Sequence, residues 1–484
     1  ADLGRVPRES GRESGSWARE YESERAKEMD EEYDCIVLGT GLKECIISGV
    51  LAVEGKKVLV VDKNPFYGGA CASLNVMQLR QQFQDPQAGL EDTIAKYGAP
   101  AMKDQIDMKR WLNQWQVDLI PKFIMYSGEL VKILVKAGVD RYLEFQRVAE
   151  SYVYKDNKIH RVPSTVSEVL ASSLMGFFEK RRCSKFLNYV NQYKQEDPST
   201  HQGYDCTKVT IEAIYKKFGL DENTQAFLGH ACALWPDDSY LKKKPAIETI
   251  RRVLLYRDSF FSLQGNSPYV YPRYGLTQLP ESFARLGAVH GSTYMLNTPV
   301  EEILYEEGKV VGIKTAEGVA KCKFLVADPS YVPDKVKTTG KKIVRAICIL
   351  SHPVPNTGDA DSLQIIIPQK HTTRNSDIYV MVMSNEHCIA PKGKFVAILS
   401  TAVETSNPKK ELDLAVRLLG PVDDIFYNVS EVQVPLSNGS EDQVFVSASY
   451  DETSHFESTA RDCYSLYKRI TGKDMDLTPR PAAE

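Results

Sequence analysis

The segment GTGLKE, Gly39 to Glu44, holds the residues of the chain best suited to cofactor chemistry. It has the first two glycines of a GxGxxG dinucleotide fingerprint, but Glu44 stands at the third glycine position. The first two glycines make a tight turn and admit phosphates to backbone N–H groups, and the third lets helix and strand pack closely. A carboxylate there adds bulk and negative charge where an anion would bind. Three interpretations of the turn are open: it is an active nucleotide site, it is a closed relic of such a site, or the match to the fingerprint is due to chance. We favour the closed relic.

Two further segments bear on that choice. Asp62 ends the second apolar run, at the spacing at which an acidic residue binds the ribose of a dinucleotide. The later segment FLVADPSYVPD ends in Asp328 and Pro329, without the glycine turn that flavin enzymes of this topology place against the cofactor. A flavin-dependent oxidase or desaturase stays open as the alternative, but we predict a fold without a cofactor.

The histidines and cysteines predict no catalytic or metal centre. The ten cysteines form no CxxC pair, and the eight histidines form no HExxH motif. His387 and Cys388, read as strand residues, would point to opposite faces and could not act as a pair. His230, in FLGHACALW, is typical of a hydrogen-bonded core histidine. We therefore predict a protein that is not an enzyme.

Composition predicts a large globular protein with two or three domains. The chain has 484 residues, of which 43% are hydrophobic and 26% charged. Its formal net charge of −4 argues against a nucleic-acid partner. No apolar run approaches the ~18 residues of a membrane span, and the N-terminus is charged rather than a signal peptide. We expect a cytosolic protein, and we read the basic run EKRRCSK, Glu179 to Lys185, as a solvated face.

The elements that position GTGLKE form a strand, a glycine turn, a helix and a second strand. Helical spacing then dominates from about residue 163 to 263, and the remainder is mainly β with a terminal helix at about 461–470. The predicted fold class is α/β with mixed sheets: a flavoprotein-like βαβ domain without cofactor, plus an all-α inserted domain. The predicted boundaries are a disordered or added extension at 1–28, the main domain at 29–162 and 264–477, the helical domain at 163–263, and a tail at 478–484.

Several stretches together resemble one family, the Rab GDP dissociation inhibitors. They include GTGLKECIISG with the same glutamate, GKKVLVVDKNPFYGG, VDLIPKF, LMGFFEKRR, SPYVYPRYGL, DPSYVPD and QIIIPQ, in family order from Met29 to about Leu477. The resemblance implies a monomeric cytosolic carrier, transiently membrane-associated, that binds GDP-bound, geranylgeranylated Rab GTPases. It would slow GDP release, extract the Rab from membranes and shelter its lipid. Rab escort proteins share some blocks but are considerably longer, and they remain a second alternative.

Carried over residue by residue, the resemblance implies a Rab-binding platform on the main domain. Its residues would be Tyr67, Tyr269, Gln278, Arg285, Thr293 and Met295. Tyr, Arg and Met are enriched at protein interfaces. The family usually has a glutamate where Gln278 stands, and the loop at 262–268 lacks the family's arginine.

Two apolar sites complete the expected function. A geranylgeranyl chain gains ~0.8 kcal/mol per buried CH₂, so it needs an apolar slot, which helices of the inserted domain can open. The candidates for this slot are Leu170, Leu174, Met175, Phe178, Phe186, Leu187 and Val190. A groove for the Rab C-terminal tail would use Ile133, Leu134 and Tyr142. Residues around 84–110 are predicted to be a surface insertion of unknown role.

Overall fold

The described part of the chain comprises residues 32–98, 105–163, 168 and 174–477 of a computed structural model. Leu170, the predicted extension at 1–28 and the predicted tail at 478–484 lie outside the described residues. The strands, numbered along the chain, are β1 Glu32–Leu38, β2 Val58–Val61, β3 Ser73–Leu74, β4 Val117–Asp118, β5 Ile124–Met125, β6 Phe145–Arg147, β7 Glu150–Lys155, β8 Lys158–Arg161, β9 Tyr269–Pro272, β10 Thr293–Met295, β11 Val300–Glu306, β12 Lys309–Thr315, β13 Gly318–Ala327, β14 Val336–Leu350, β15 Leu363–Ile367, β16 Ile378–Ser384, β17 Phe395–Ala402, β18 Asp424–Pro435 and β19 Val444–Val446.

Helices cover the sheets and fill the segment between β8 and β9. They are α1 Leu42–Val53, α2 Val76–Phe83, α3 Leu90–Tyr97, α4 Gln105–Leu112, α5 Glu129–Ala137, α6 Phe177–Gln192, α7 Ile211–Phe218, α8 Glu222–Ala226, α9 Tyr240–Lys243, α10 Ala246–Leu263, α11 Gln278–Val289, α12 Asp413–Leu419 and α13 Glu457–Thr471. A π-helical turn, Phe227–Cys232, follows α8 directly. No helix in the described ranges has the length and apolar character needed to cross a membrane.

The first sheet is built on the predicted βαβ unit. Its strand order is β10-β2-β1-β13-β12-β11, and β19 pairs with β13. Strand β2, VLVV, is fully buried because helices cover a parallel sheet on both faces. Helix α1 packs against α11 so closely that a Cβ at Gly49 would lie 3.1 Å from the carbonyl oxygen of Phe283. The absence of a side chain at Gly49 therefore allows α1 and α11 to pack closely.

The second sheet is also mixed, in the order β18-β14-β17-β16-β15-β7-β8. Only β7 and β15 run parallel in it; the other pairs are antiparallel. Alternate residues of β14 enter different cores: Ile347 and Ile349 face the core shared with the helical segment, and Ala346 and Cys348 face a separate cluster beneath α12. The prediction of an α/β fold with mixed sheets is confirmed.

Residues 84–97, the first part of the predicted surface insertion, pack against the second sheet. Helix α3 ends beside β18, where the Tyr97 hydroxyl donates to Asp424 Oδ2 at 2.7 Å and Lys96 Nζ lies 2.6 Å from the same oxygen. Gln84 Nε2 donates to the other carboxylate oxygen of Asp424 at 2.9 Å. Tyr97 is almost fully buried against Trp115. Part of this segment therefore belongs to the core.

Candidate functional site

The glycine turn is filled by its own glutamate. Gly39 has a φ of +102°, as the tight turn requires, and a Cβ at Gly41 would collide with the Glu44 carboxylate. Glu44 is almost fully buried. Burial, and then the neighbouring carboxylate of Asp328, raise the pKa of Glu44 to about 7, against the attraction of Lys43. The side chain thus occupies the space above the helix N-terminus where a phosphate would otherwise sit.

Lys43 ties the same turn to the C-terminal helix. Its side chain is almost fully buried, and Nζ lies 2.9 Å from Asp462 Oδ2 on α13. Nζ also donates to the carbonyl oxygen of Ala448 and lies 4.7 Å from the centre of the Tyr450 ring. Burial opposes the charge of Lys43, but Asp462 outweighs it, so the pKa of the lysine is raised. The lysine is therefore engaged in a structural ion pair.

Asp62, the residue at the ribose-binding position, has both oxygens engaged within the protein. Oδ2 accepts from the Thr40 N–H at 2.7 Å and from the Thr40 hydroxyl at 2.5 Å. Oδ1 accepts from the Asn64 N–H at 2.8 Å and from the Tyr331 hydroxyl at 3.0 Å. A dinucleotide would have to displace these donors and meet the carboxylates of Glu44 and Asp328. The residues present do not fit a pyrophosphate, which agrees with the predicted closed relic.

Of the other groups considered for chemistry, His230 and Cys388 have polar partners, whereas the neighbour beside the His387 ring is aromatic. His387 lies in a 3₁₀ turn, Asn385–His387, so the strand argument for it was wrong. It is buried beside Tyr271, while Cys388 Sγ accepts from Arg273 at 3.2 Å. His230 is fully buried between Asp377, 2.8 Å from Nδ1, and Asp238, 3.0 Å from Nε2. Burial opposes its charge, but the two carboxylates outweigh burial and raise the pKa of His230 to about 10.

Helix α11 carries two of the predicted platform residues. Gln278 begins the helix and its side-chain amide donates to Glu281 Oε2 at 3.0 Å. A carboxylate therefore stands beside the position where the resemblance implied one. Arg285 is exposed two turns further on, with its guanidinium 4.5 Å from the centre of the Tyr142 ring. This contact joins a residue predicted for the platform to one predicted for the tail groove.

Tyr67, Thr293 and Met295 lie around Tyr294, a residue that the sequence argument missed. Thr293 and Met295 are half-buried on the edge strand β10, with side chains on the face opposite to Tyr294. The Tyr294 ring lies 6.3 Å from that of Tyr67, and its hydroxyl is 3.2 Å from Ser48 Oγ. Tyr294 thus holds β10, α1 and the Tyr67 loop together. The sequence did offer a signal for Tyr294, because it lies between the two candidate residues Thr293 and Met295.

Tyr269 requires a correction to the predicted platform. Its side chain is fully buried and stacks on Phe123 with ring centres 5.5 Å apart. It also meets Tyr256 of α10 edge-on. Because strand β9 turns this ring into the core, the Tyr269 side chain is not accessible at this surface.

An apolar groove of about 200 Å³ lies beside the platform. Its lining consists of Val50, Val53, Glu54, Ile133, Lys136, Ala137, Leu286, Met475 and Asp476. Ile133 therefore lines the groove, although it is buried in the main core like Leu134. Leu134 and Tyr142 do not line the groove, and Tyr142 contacts Arg285 instead. The sequence argument missed Met475 and Asp476, which follow α13; Asp476 is held by Lys136 at 2.7 Å.

Comparison with known proteins decides the family. A family model described as GDP dissociation inhibitor matches residues 29–482. The chain belongs to the GDP dissociation inhibitor family. It is 48% identical over 458 residues to the Rab GDP-dissociation inhibitor of Saccharomyces cerevisiae, covering 94% of this chain and 98% of the relative. It is 50% identical over 450 residues to Rab GDP dissociation inhibitor beta of Canis lupus familiaris, covering 93% and 97%.

Solved structures agree with this assignment. A Rab GDI structure from Plasmodium falciparum has a TM-score of 0.85 at 42% identity, covering 92% of this chain and all of that one. An oxidoreductase from Methanosarcina mazei has a TM-score of 0.57 at 13% identity, covering 90% and 100%. The second likeness shows the fold alone. The GDP dissociation inhibitor fold of this chain is therefore flavoprotein-like, and the relatives carry the names of regulators.

In this family member, most predicted lipid-pocket residues are part of a closed core. Leu174, Met175, Phe186 and Val190 are buried, and Leu187 is half-buried. The Phe186 ring packs edge-on against Tyr215 and Phe218, with ring centres 5.3 and 5.8 Å away. Phe178 differs, because 72% of it is exposed. A lipid entering between these helices would have to separate α6 from α7, and Phe178 would not line that space as it stands.

Proposed function

We propose that this protein binds GDP-bound, prenylated Rab GTPases, slows GDP release and carries the GTPase through the cytosol with its lipid sheltered. The observation that carries the proposal is the shared use of helix α11. Arg285 of this helix faces the platform and Leu286, the next residue, lines the apolar groove. One rigid element can thus hold a folded GTPase domain beside the start of its flexible tail.

The chemistry of the two surfaces supports this division of roles. The platform combines exposed Arg285 with half-buried Tyr67, Thr293 and Met295, a mixture typical of protein interfaces. The groove is lined by the buried apolar side chains Ile133, Ala137 and Leu286 together with the charged residues Lys136 and Glu54, which suits a peptide that has both apolar and polar residues. The lipid would then occupy the helical domain at 163–263, once α6 and α7 have moved apart. The protein acts as a monomer in this scheme and contacts membranes transiently.

A GDP-release assay tests the proposal. Prenylated Rab loaded with a fluorescent GDP analogue is diluted into excess GDP with increasing amounts of this protein. We expect release to slow at micromolar protein, and Rab on vesicles to move into the supernatant. If neither effect is seen at that concentration, the proposed function is contradicted.

Replacing Arg285 with Ala tests the platform itself. The stacking on Tyr142 is worth about 0.5–1 kcal/mol at an exposed site, so the variant should remain folded. Loss of an interface arginine at a binding hot spot costs about 2 kcal/mol, so we expect roughly 30-fold weaker binding. Arg110→Ala is the control, because that arginine side chain is 76% exposed and lies on α4, which carries none of the predicted platform residues. Equal affinities for both variants would reject Arg285 as a contact.

A further inference from the structure

An aromatic pair is exposed at the start of helix α6. Phe177 and Phe178 are 68% and 72% exposed. Among the other large apolar side chains of the described residues, only Val289, at 69%, is as exposed. Their rings pack edge-on against each other with centres 5.6 Å apart. Leu174 and Met175, just before them, are buried in the core of the helical segment. The surface pair is therefore continuous with the apolar interior in which the lipid is proposed to be held.

Basic side chains lie on the same stripe of the helix. Arg181 and Lys185 follow Phe178 at i+3 and i+7, so they share its face. Both are exposed, and the Arg181 guanidinium lies 5.3 Å from the centre of the Phe177 ring. Neither has an acidic partner within the described residues. We name these four residues, Phe177, Phe178, Arg181 and Lys185, the aromatic-basic stripe.

The acidic residue of this helix is turned away from the stripe. Glu179 is the one Asp or Glu in FFEKRRCSKFLNYVNQ, and it is buried. One carboxylate oxygen accepts from the Asp221 N–H at 2.7 Å, and the other is 3.0 Å from Arg182 Nη1. Because Glu179 is buried and both of its carboxylate oxygens have partners, it does not neutralise the stripe. The stripe therefore presents positive charge beside exposed aromatic rings.

We propose that the aromatic-basic stripe is a docking site for an anionic lipid surface. Aromatic side chains partition into the membrane interface, and nearby Lys and Arg are attracted to anionic headgroups. The proposal deepens the proposed function, on which it rests, by naming the part of the protein that meets the membrane. Docking there would bring the entrance of the helical segment, at Leu174 and Met175, to the depth from which a prenyl chain leaves the bilayer.

Vesicle sedimentation with the full chain, in the absence of Rab, tests the proposal. We expect binding to phosphatidylserine–phosphatidylcholine vesicles that weakens with rising salt, and much weaker binding to pure phosphatidylcholine. Arg181→Gln with Lys185→Gln should lower the partition coefficient about 25-fold, because each basic residue near the surface contributes about fivefold. Phe177→Ser with Phe178→Ser should lower it at least about tenfold, because both lose apolar area that enters the interface.

Two controls match these changes elsewhere on the helical segment. Phe261→Ser removes an aromatic ring that is 55% exposed on α10, and Lys208→Gln removes a lysine whose side chain is 81% exposed. Both should bind vesicles like the wild type. Equal binding of all variants, or no preference for anionic vesicles, would overturn the proposal.

Two further outcomes separate this proposal from the proposed function and from a lipid-pocket role. The two double variants of the stripe should slow GDP release from soluble Rab as the wild type does, since the platform is unchanged. If the wild type does not slow GDP release, the proposed function fails, whatever the vesicle result. If the phenylalanine variants bind vesicles normally but lose prenylated Rab faster from solution, the rings belong to the lipid pocket, and the docking site is wrong.

Discussion

Replacing Glu44 with Gln should make the protein more stable at alkaline pH. The folded protein holds this carboxyl with a pKa of about 7, whereas an ordinary glutamate has 4.5. A group whose pKa is raised on folding contributes stability below 4.5, and this contribution is lost as the pH rises through 7. At 1.36 kcal/mol for each pKa unit, the ionised carboxylate costs the fold about 3 kcal/mol above pH 8. The Glu44→Gln substitution keeps the shape of the side chain and removes the ionisation.

The assay is urea unfolding of both proteins between pH 5 and pH 8.5. Near pH 5 the two free energies of unfolding should differ by less than about 1 kcal/mol, because Glu44 is then largely protonated in the folded state. At pH 8.5 the variant should be more stable by about 2–3 kcal/mol. Glu91→Gln, at an exposed position in the first turn of α3, removes the same charge and should show no such divergence.

Parallel pH profiles for wild type and Glu44→Gln would refute the reasoning. They would mean that the carboxylate is hydrated, or paired well enough to ionise without penalty. The closed-pocket interpretation of GTGLKE would then lose its electrostatic support, although the Glu44 side chain would still occupy the space beside Gly41.

Two other variants test the buried histidine and the groove. His230→Phe leaves Asp377 buried without its cation and should lower the free energy of unfolding by about 3–5 kcal/mol at pH 6.5. Because the folded pKa of His230 is about 10, this gap should shrink as the pH rises from 6.5 through 10, and a constant gap would contradict the ion pair. Met475→Ala should weaken binding of full-length prenylated Rab about fivefold, but not that of Rab lacking its tail, because Met475 lines the groove. Equal loss for both, measured by titration, would contradict a role of the groove in binding the tail.

Local patterns in the sequence were sufficient for the elements around GTGLKE. The alternation of apolar runs and glycine turns predicted β1, α1 and β2. The terminal helix was also predicted, but it begins at Glu457, four residues before the predicted start. Its first turn is polar, so periodicity alone could not place its beginning.

Long-range packing decided what the sequence could not predict. Tyr269 was assigned to the platform by the family resemblance, but pairing of β9 with β5 and β6 turns its ring inward. Phe178 was assigned to an apolar interior by helical spacing, yet it lies at the exposed start of α6. Met475 reaches the groove only because α13 packs beside α5, a contact between segments more than 300 residues apart. None of these placements follows from neighbouring residues.

The consecutive residues Arg285 and Leu286 have a consequence for binding strength. Under the proposed function, a GTPase held at the platform presents its tail to the groove as an intramolecular event, at an effective concentration in the millimolar range for a short linker. A groove that binds a free tail peptide only at about millimolar concentration would then be about half occupied in the complex. Each contact can be weak and rapidly reversible while the pair together holds the GTPase firmly, so disengaging either one is enough to begin its release.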